Sequence, residues 1–353
     1  MTTRLFPQTT IAVIWDFDRT LIPEYMQAPL FRHYGVDANE FWAEVNALPE
    51  FHRAHGADLV SEDTIYLNHI LAYVREGRFR GLNNALLREL GRELIFYPGL
   101  PDFFPRIKQL VAVESAFAKH EINVEQYVVS TGLRQMILGS AIAEHLDGVW
   151  ACDFVENVAP PGFLHGVQQE LEEEPELEDI VYVIDNTTKT RAVFEVNKGV
   201  NKFPEDITVN AQMAHEDRRI PFENMIYVAD GPSDVPVFSI LNQYGGKTYA
   251  VYDSSSVAQF RQAKALSEQN RIQSYGPADY RDGTHTYMWL TTAVQDIAVK
   301  IVERREEALG DRVGRPPRHI LESRAPAPAP PPAQNAATEP PNGPPEGASD
   351  EQT

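Results

Sequence analysis

The sequence predicts an α/β fold: a mainly parallel sheet, a small helical domain inserted near its start and a Pro-rich C-terminal tail. Three observations lead there. Short β-rich runs alternate with helical patterns over residues 1–313. More than a hundred residues separate the first two strand candidates, far more than one crossover helix needs. Beyond Arg315 the composition breaks into Pro, Ala, Asn and Glu with almost nothing apolar to bury.

The strand candidates are Ile11–Trp15, Tyr127–Val129, Ile180–Ile184, Ile226–Ala229 and Tyr249–Tyr252. Apolar runs of this length suit strands buried on both faces. From Pro23 to Tyr97 the pattern is helical, clearest over Ile65–Val74 and Leu82–Leu90. Tyr97-Pro98-Gly99 marks the return, followed by a helix over about 100–113. The acidic run Glu170–Asp179 reads as a solvated connection, because charges this dense repel one another. The expected organisation is a core domain of 1–22 and 98–313, a helical domain over 23–97, and a disordered tail over 314–353 that either solubilises the chain or docks a protein partner.

With 353 residues the chain is long enough for about two domains at roughly 150 residues each. At 43% hydrophobic and 23% charged it is neither wholly disordered, collagen-like nor coiled-coil. A formal net charge of −20 disfavours non-specific binding to nucleic acid or anionic membranes. Cys152 is the one cysteine, which excludes an intramolecular disulfide and a multi-cysteine zinc site and fits a reducing compartment. The first residues, MTTRLFPQTT, lack the apolar core of a signal peptide, and no stretch approaches a membrane span. A cytoplasmic protein without nucleic-acid or membrane partners is expected.

Four segments carry chemistry. In Ile14-Trp-Asp16-Phe-Asp18-Arg-Thr20-Leu21 an apolar strand runs into two carboxylates and a hydroxyl, at the strand end where open parallel sheets bind ligands. Carboxylates held this close call for a neutralising cation such as Mg²⁺, although a helix cap or turn explains a lone Asp16 as readily. Val128-Val-Ser130-Thr131-Gly132 puts hydroxyls and a glycine between a strand and a helix, which is either an anion site or a plain N-cap. In Asp185-Asn-Thr-Thr-Lys189 a lysine follows a strand closely, nearer its end than the competing Lys198 and Lys202. Val228-Ala-Asp230-Gly231-Pro-Ser-Asp234 repeats the logic of the first segment, with an Asx-turn as its bland alternative.

Together these segments resemble the haloacid dehalogenase superfamily in its phosphatase branch. Asp16-Phe-Asp18-Arg-Thr20, Ser130-Thr-Gly132, Lys189 and Asp230-Gly-Pro-Ser-Asp234 stand in the family's order, over residues 11–240. The resemblance implies a Rossmann-like parallel sheet with helices on both faces, and makes 23–97 a cap of the phosphoserine-phosphatase-like type. It implies that Asp16 is the nucleophile of an aspartyl-phosphate mechanism and that Asp18 first protonates the leaving oxygen and then deprotonates water. Mg²⁺ would be held by Asp16, the backbone carbonyl of Asp18, and Asp230. Ser130, Thr131, Gly132 and Lys189 would bind phosphate, helped by the Phe17, Arg19 and Gly132 amides, with Thr20 and Asp234 in support. The acid at Asp18 favours phosphoryl transfer over dehalogenation.

Arg19 and Ala229 depart from the family's usual glycines; Arg19 either contacts substrate or points to solvent, with solvent the favoured reading, and Ala229 is expected to be tolerated within a strand. In the cap, Glu24, Arg32, Arg53 and Arg75 are candidate readers of a leaving group, while His33, His52, His55 and His69 are read as ordinary surface or core residues. The implied function is a Mg²⁺-dependent phosphatase for a small phosphorylated metabolite. The alternatives are a phosphoryl transferase or mutase with the same motifs, and a non-catalytic phosphate-binding or scaffolding module.

Overall fold

A computed structural model of the chain describes residues 5–165 and 175–313. The expected tail and residues 170–174 of the acidic run lie outside the described residues. The strand β1 (Thr10–Trp15) leads into four helices: α1 (Ala28–Tyr34), α2 (Ala38–Ala54), α3 (Ile65–Arg75) and α4 (Asn84–Gly91). The core resumes with α5 (Phe103–Ala112), α6 (Ser115–Lys119), β2 (Asn123–Leu133), α7 (Arg134–Gly139), β3 (Gly148–Val155), β4 (Asp179–Tyr182) and α8 (Thr188–Lys198). It closes with β5 (Met225–Ala229), α9 (Val235–Gln243), β6 (Lys247–Tyr252), α10 (Val257–Glu268), β7 (Ser274–Pro277) and α11 (His285–Val313). No described helix is long and apolar enough to cross a membrane.

The seven strands run in the order β4-β3-β2-β1-β5-β6-β7, parallel except for β4 against β3. Every residue from Ile11 to Trp15 is fully buried, so both faces of the central strand are covered. The chain winds from β1 outward through β2 to β3, then β5 starts again on the other side of β1. That reversal opens a crevice at the carboxyl ends of β1 and β5, where Asp16 and Asp230 stand. Trp15 fixes the end of β1: its ring meets Phe103, Phe104 and Tyr280 edge-on at 6.1, 5.6 and 5.8 Å, and its indole N–H donates to Gln126 Oε1 at 2.7 Å.

Three expectations are corrected. The run at 180–184 is not a doubly buried parallel strand: β4 is a short, antiparallel and largely exposed edge, with Val181 58% exposed. Two strands went unread, β3, whose GVWACDFV mixes small, polar and aromatic residues, and β7, whose SYGP ends in a turn-like pair. Ser130, Thr131 and Gly132 do not precede a helix directly. They lie within β2, where its register against β3 shifts between Val129 and Leu133.

The helical insertion is fastened to the sheet through α4 and α7. A Cβ on Gly91 would fall 2.2 Å from the Met136 carbonyl oxygen, and one on Gly139 would fall 1.9 Å from that of Arg88. Only glycine permits this backbone approach. Asn83 caps α4 by accepting from Leu86 N–H at 2.8 Å, and Asp37 caps α2 through Asn39 N–H at 2.7 Å. Gly139→Ala should therefore cost about 1–3 kcal/mol in chemical denaturation, because the backbones must part to admit one methyl group. A loss of stability below the error of that measurement would contradict the close crossing.

Candidate active site

The end of β1 and the turn after β5 bring three carboxylates together. Ligand oxygens of Asp16, Asp230 and Asp234 all lie within 4.8 Å of one another. Asp16 extends the β1–β5 ladder by one hydrogen bond, its N–H donating to the Val228 carbonyl at 2.9 Å. Asp234, fully buried, follows the turn at Gly231-Pro232-Ser233. Lys189, from the first turn of α8 and 1% exposed, donates from Nζ to Asp16 Oδ1 and to Asp234 Oδ1, both at 2.8 Å. Asp234 Oδ1 also accepts from the Tyr227 hydroxyl at 2.6 Å, and Oδ2 from Ser233 Oγ at 2.9 Å. Thr20 Oγ1 donates to Asp16 Oδ2 at 3.4 Å, and the Thr20 carbonyl is held by the Tyr280 hydroxyl at 2.6 Å.

Burial and charge set the protonation of this cluster. Burial pushes Asp16 up to about 6 against the pull of the Lys189 ammonium, so it remains an anion at neutral pH. Burial works against the charge on Lys189, but Asp16 and Asp234 outweigh it and raise its pKa above the lysine range. Asp18 is pushed up to about 8, first by burial and then by the Asp16 charge, which keeps a proton on it near neutral pH. Its Oδ1 accepts from Met26 N–H at 2.9 Å. Asp230 rises to about 7 through burial and the negative charges of Asp16 and Asp234. Among the described residues no hydrogen-bond donor reaches its carboxylate.

These groups fit a hard divalent cation. The donors are all carboxylate oxygens, and one of them, Asp230, lies among like charges without a donor of its own. The side chain of Asp18 stands outside the three-carboxylate group, in keeping with a backbone contribution from that residue. Asp234 was expected in support, either through water or by orienting its neighbours, and its contacts are those of an orienting residue. With both oxygens engaged, it acts chiefly by holding Lys189 against Asp16.

The anion-binding candidates gather at the same crevice. Ser130, Thr131, Gly132 and Lys189 line one pocket of about 440 Å³ with Asp16, Asp18 and Asp230. Ser130 Oγ accepts from Gly132 N–H at 3.0 Å, which leaves the serine hydroxyl hydrogen for an anion and engages the Gly132 amide expected to serve one. A Cβ on Gly132 would collide with the Met26 side chain, and Met26 Sδ accepts from Leu133 N–H at 2.9 Å. Lys198 and Lys202 bind backbone carbonyls elsewhere, Val209 and Ala211 for the first and Asp147 for the second. Arg19 does not point away to solvent. At φ 59° it occupies the left-handed conformation that favours glycine, and its guanidinium carbon lies 4.6 Å from the centre of the Tyr25 ring on the pocket wall. Ala229 is fully buried inside β5, as expected of it.

From the insertion, none of Glu24, Arg32, Arg53, Arg75 or the four histidines lines this pocket. Arg32 pairs with Glu93 at 3.6 Å and Arg53 with Glu62 at 2.9 Å. Tyr25, Gln27, Trp42 and Tyr66 line it instead, and the Tyr66 hydroxyl donates to the Thr131 carbonyl at 2.7 Å. Sequence reasoning had no handle on these residues or on Tyr227 and Met26, because aromatic and apolar side chains at helical or strand spacing read as core.

A protein of Borreliella burgdorferi described as uncharacterized is 38% identical over 286 residues, covering 80% of this chain and 96% of that one. The chain belongs to the same family. No family model matches the sequence. Among solved structures, a HAD family hydrolase of Salmonella enterica serovar Typhi gives a TM-score of 0.43 at 15% identity, over 76% of this chain and 67% of that one. A probable phosphoserine phosphatase of Vibrio cholerae gives 0.44 at 14% identity, over 85% and 68%. These likenesses are too loose to carry an argument about the site. The resemblance to the haloacid dehalogenase superfamily stands instead on this chain's own residues: its four motifs converge at the carboxyl end of a Rossmann-like sheet.

The metal-free protein should lose stability as pH rises from about 4 to 8. Asp18 and Asp230 are raised from an ordinary 3.8 to about 8 and about 7, so across that window the folded chain binds more protons than the unfolded one. Asp230→Asn removes one such charge and should raise the melting temperature in EDTA at pH 7.5 by roughly 2 °C, the equivalent of about 1 kcal/mol. A lower melting temperature would show that the Asp230 charge is already compensated.

Proposed function

We propose that this protein is a Mg²⁺-dependent phosphohydrolase that removes phosphate from a small phosphomonoester through an aspartyl-phosphate on Asp16. The observation that carries the reading is the Lys189 ammonium, which bridges Asp16 and Asp234 at 2.8 Å beside a third carboxylate, Asp230. A surface cluster of acids has no use for a buried lysine; a carboxylate that must attack a dianion has. The same arrangement speaks against a non-catalytic module, since every charged group the chemistry calls on is present and convergent.

An Asp16 oxygen attacks phosphorus and the bond to the leaving oxygen breaks, while Asp18 gives that oxygen its proton. Asp18, now a carboxylate, takes a proton from water as the water oxygen attacks the aspartyl-phosphate. Inorganic phosphate leaves and Asp16 is regenerated. Ser130 and Lys189 hold phosphate oxygens throughout. Asp16, Asp230 and the backbone at Asp18 would hold Mg²⁺, which would supply positive charge against the transferring phosphoryl group. Helices α1–α3 act as a cap, closing the pocket around a small substrate so that cap residues rather than water meet the leaving group.

Asp16→Asn should lower the rate of phosphate release from p-nitrophenyl phosphate by on the order of 10³-fold or more with the fold intact by circular dichroism. EDTA should abolish turnover and excess Mg²⁺ restore it. Unchanged turnover in the variant would remove Asp16 from the nucleophile's role. For an alkyl phosphate, whose leaving oxygen needs a proton, the rate should fall at alkaline pH as Asp18 loses its proton, at a pH that a bound Mg²⁺ lowers from the about 8 of the metal-free group. A rate that keeps rising above pH 9 would assign the acid elsewhere.

A further inference from the structure

Phosphoryl chemistry occupies only the floor of the pocket, at the sheet. Its other wall comes from the insertion and carries a different character. The rings of Tyr25 and Trp42 are 5.3 Å apart between centroids, tilted by 44°, and those of Trp42 and Tyr66 are 5.9 Å apart at 48°. Such a wall attracts cations through the electron-rich ring faces, and it already seats one, the Arg19 guanidinium on Tyr25.

Charge on the same pocket points the same way. Glu62 and Asp63 bring carboxylates to it from the turn before α3. Glu62 is paired with Arg53, but both side chains are at least half exposed and such a pair is weak. No partner reaches the Asp63 carboxylate among the described residues. The cations on the described pocket wall are Arg19 and Lys189, and Lys189 lies between Asp16 and Asp234, where the proposed mechanism uses it for the phosphate rather than the leaving group. An α-carboxylate on the leaving group would meet one cation and two carboxylates. Gln27, on the same wall and 2% exposed, adds a buried acceptor, Oε1, with no hydrogen-bond partner. A ligand N–H or O–H would satisfy it.

We infer that the pocket takes a phosphomonoester whose leaving group is an alkylammonium, received by Trp42 and Tyr66 and by the Glu62 and Asp63 carboxylates. The inference rests on the phosphohydrolase reading above. A neutral polyol phosphate of equal size gains nothing from this wall, and an amino acid phosphate is penalised by it.

The test compares kcat/KM of the full-length protein with Mg²⁺ on ethanolamine phosphate, choline phosphate, glycerol 3-phosphate, phosphoserine and p-nitrophenyl phosphate. At least one ammonium substrate should exceed both glycerol 3-phosphate and phosphoserine by about tenfold or more. In Trp42→Leu and in Asp63→Asn the ratio of the ammonium substrate to glycerol 3-phosphate should fall toward one, chiefly through KM. Because a ratio does not depend on the fraction of folded enzyme, partial misfolding cannot imitate this result. Glycerol 3-phosphate or phosphoserine turned over as well as the ammonium substrates would overturn the inference and leave the phosphohydrolase reading standing. No phosphate released from any of the five, p-nitrophenyl phosphate included, would overturn both.

Discussion

The site is organised around a buried ammonium placed between two carboxylates. Burying a lysine and two aspartates costs several kcal/mol per ion unless their mutual attraction and further hydrogen bonds return it. Here Lys189 is met at 2.8 Å on two sides, and Asp234 is further held by Tyr227 and Ser233. The triad still carries a net negative charge, and Asp18 and Asp230 stand beside it. Folding alone does not resolve that excess. Burial, reinforced by the like charges, raises the pKa values of Asp16, Asp18 and Asp230, and the all-oxygen donor set suits a hard cation that would offset the excess.

Much of this was legible in the sequence because open parallel sheets put chemistry at strand ends. Asp16 and Asp230 each follow an unmistakable apolar run, and β1 and β5 turned out to be neighbours across the switch in strand order. Lys189 was legible only by its distance from a strand end, and that strand is a short exposed edge on which the argument from double burial fails. The lysine nevertheless reaches the site, because α8 rather than β4 directs it there.

What was not legible depends on contacts between distant segments. Arg19 looked like a solvent-facing intruder, since a sequence does not show that Tyr25 offers its ring to the guanidinium. The insertion's arginines and histidines were natural suspects by charge, yet aromatic residues from three separate segments, Tyr25, Trp42 and Tyr66, form the wall. Their role is invisible until the insertion is folded over the sheet, because the same residues would serve equally well as core. The buried acceptor on Gln27 is likewise a property of packing, not of residue type.

The glycine crossing of α4 and α7 reaches further than stability. Helix α7 starts two residues after Gly132, and Met26, at the other end of the insertion, rests against Gly132 while its amide holds Asp18. The strand segment that carries Ser130 is thus held from two directions by the insertion. A shift of Met26 would act on Gly132 and on the Asp18 carboxylate at once. In the proposed mechanism, closing the insertion over a substrate would therefore shift Gly132 and Asp18 together, through Met26.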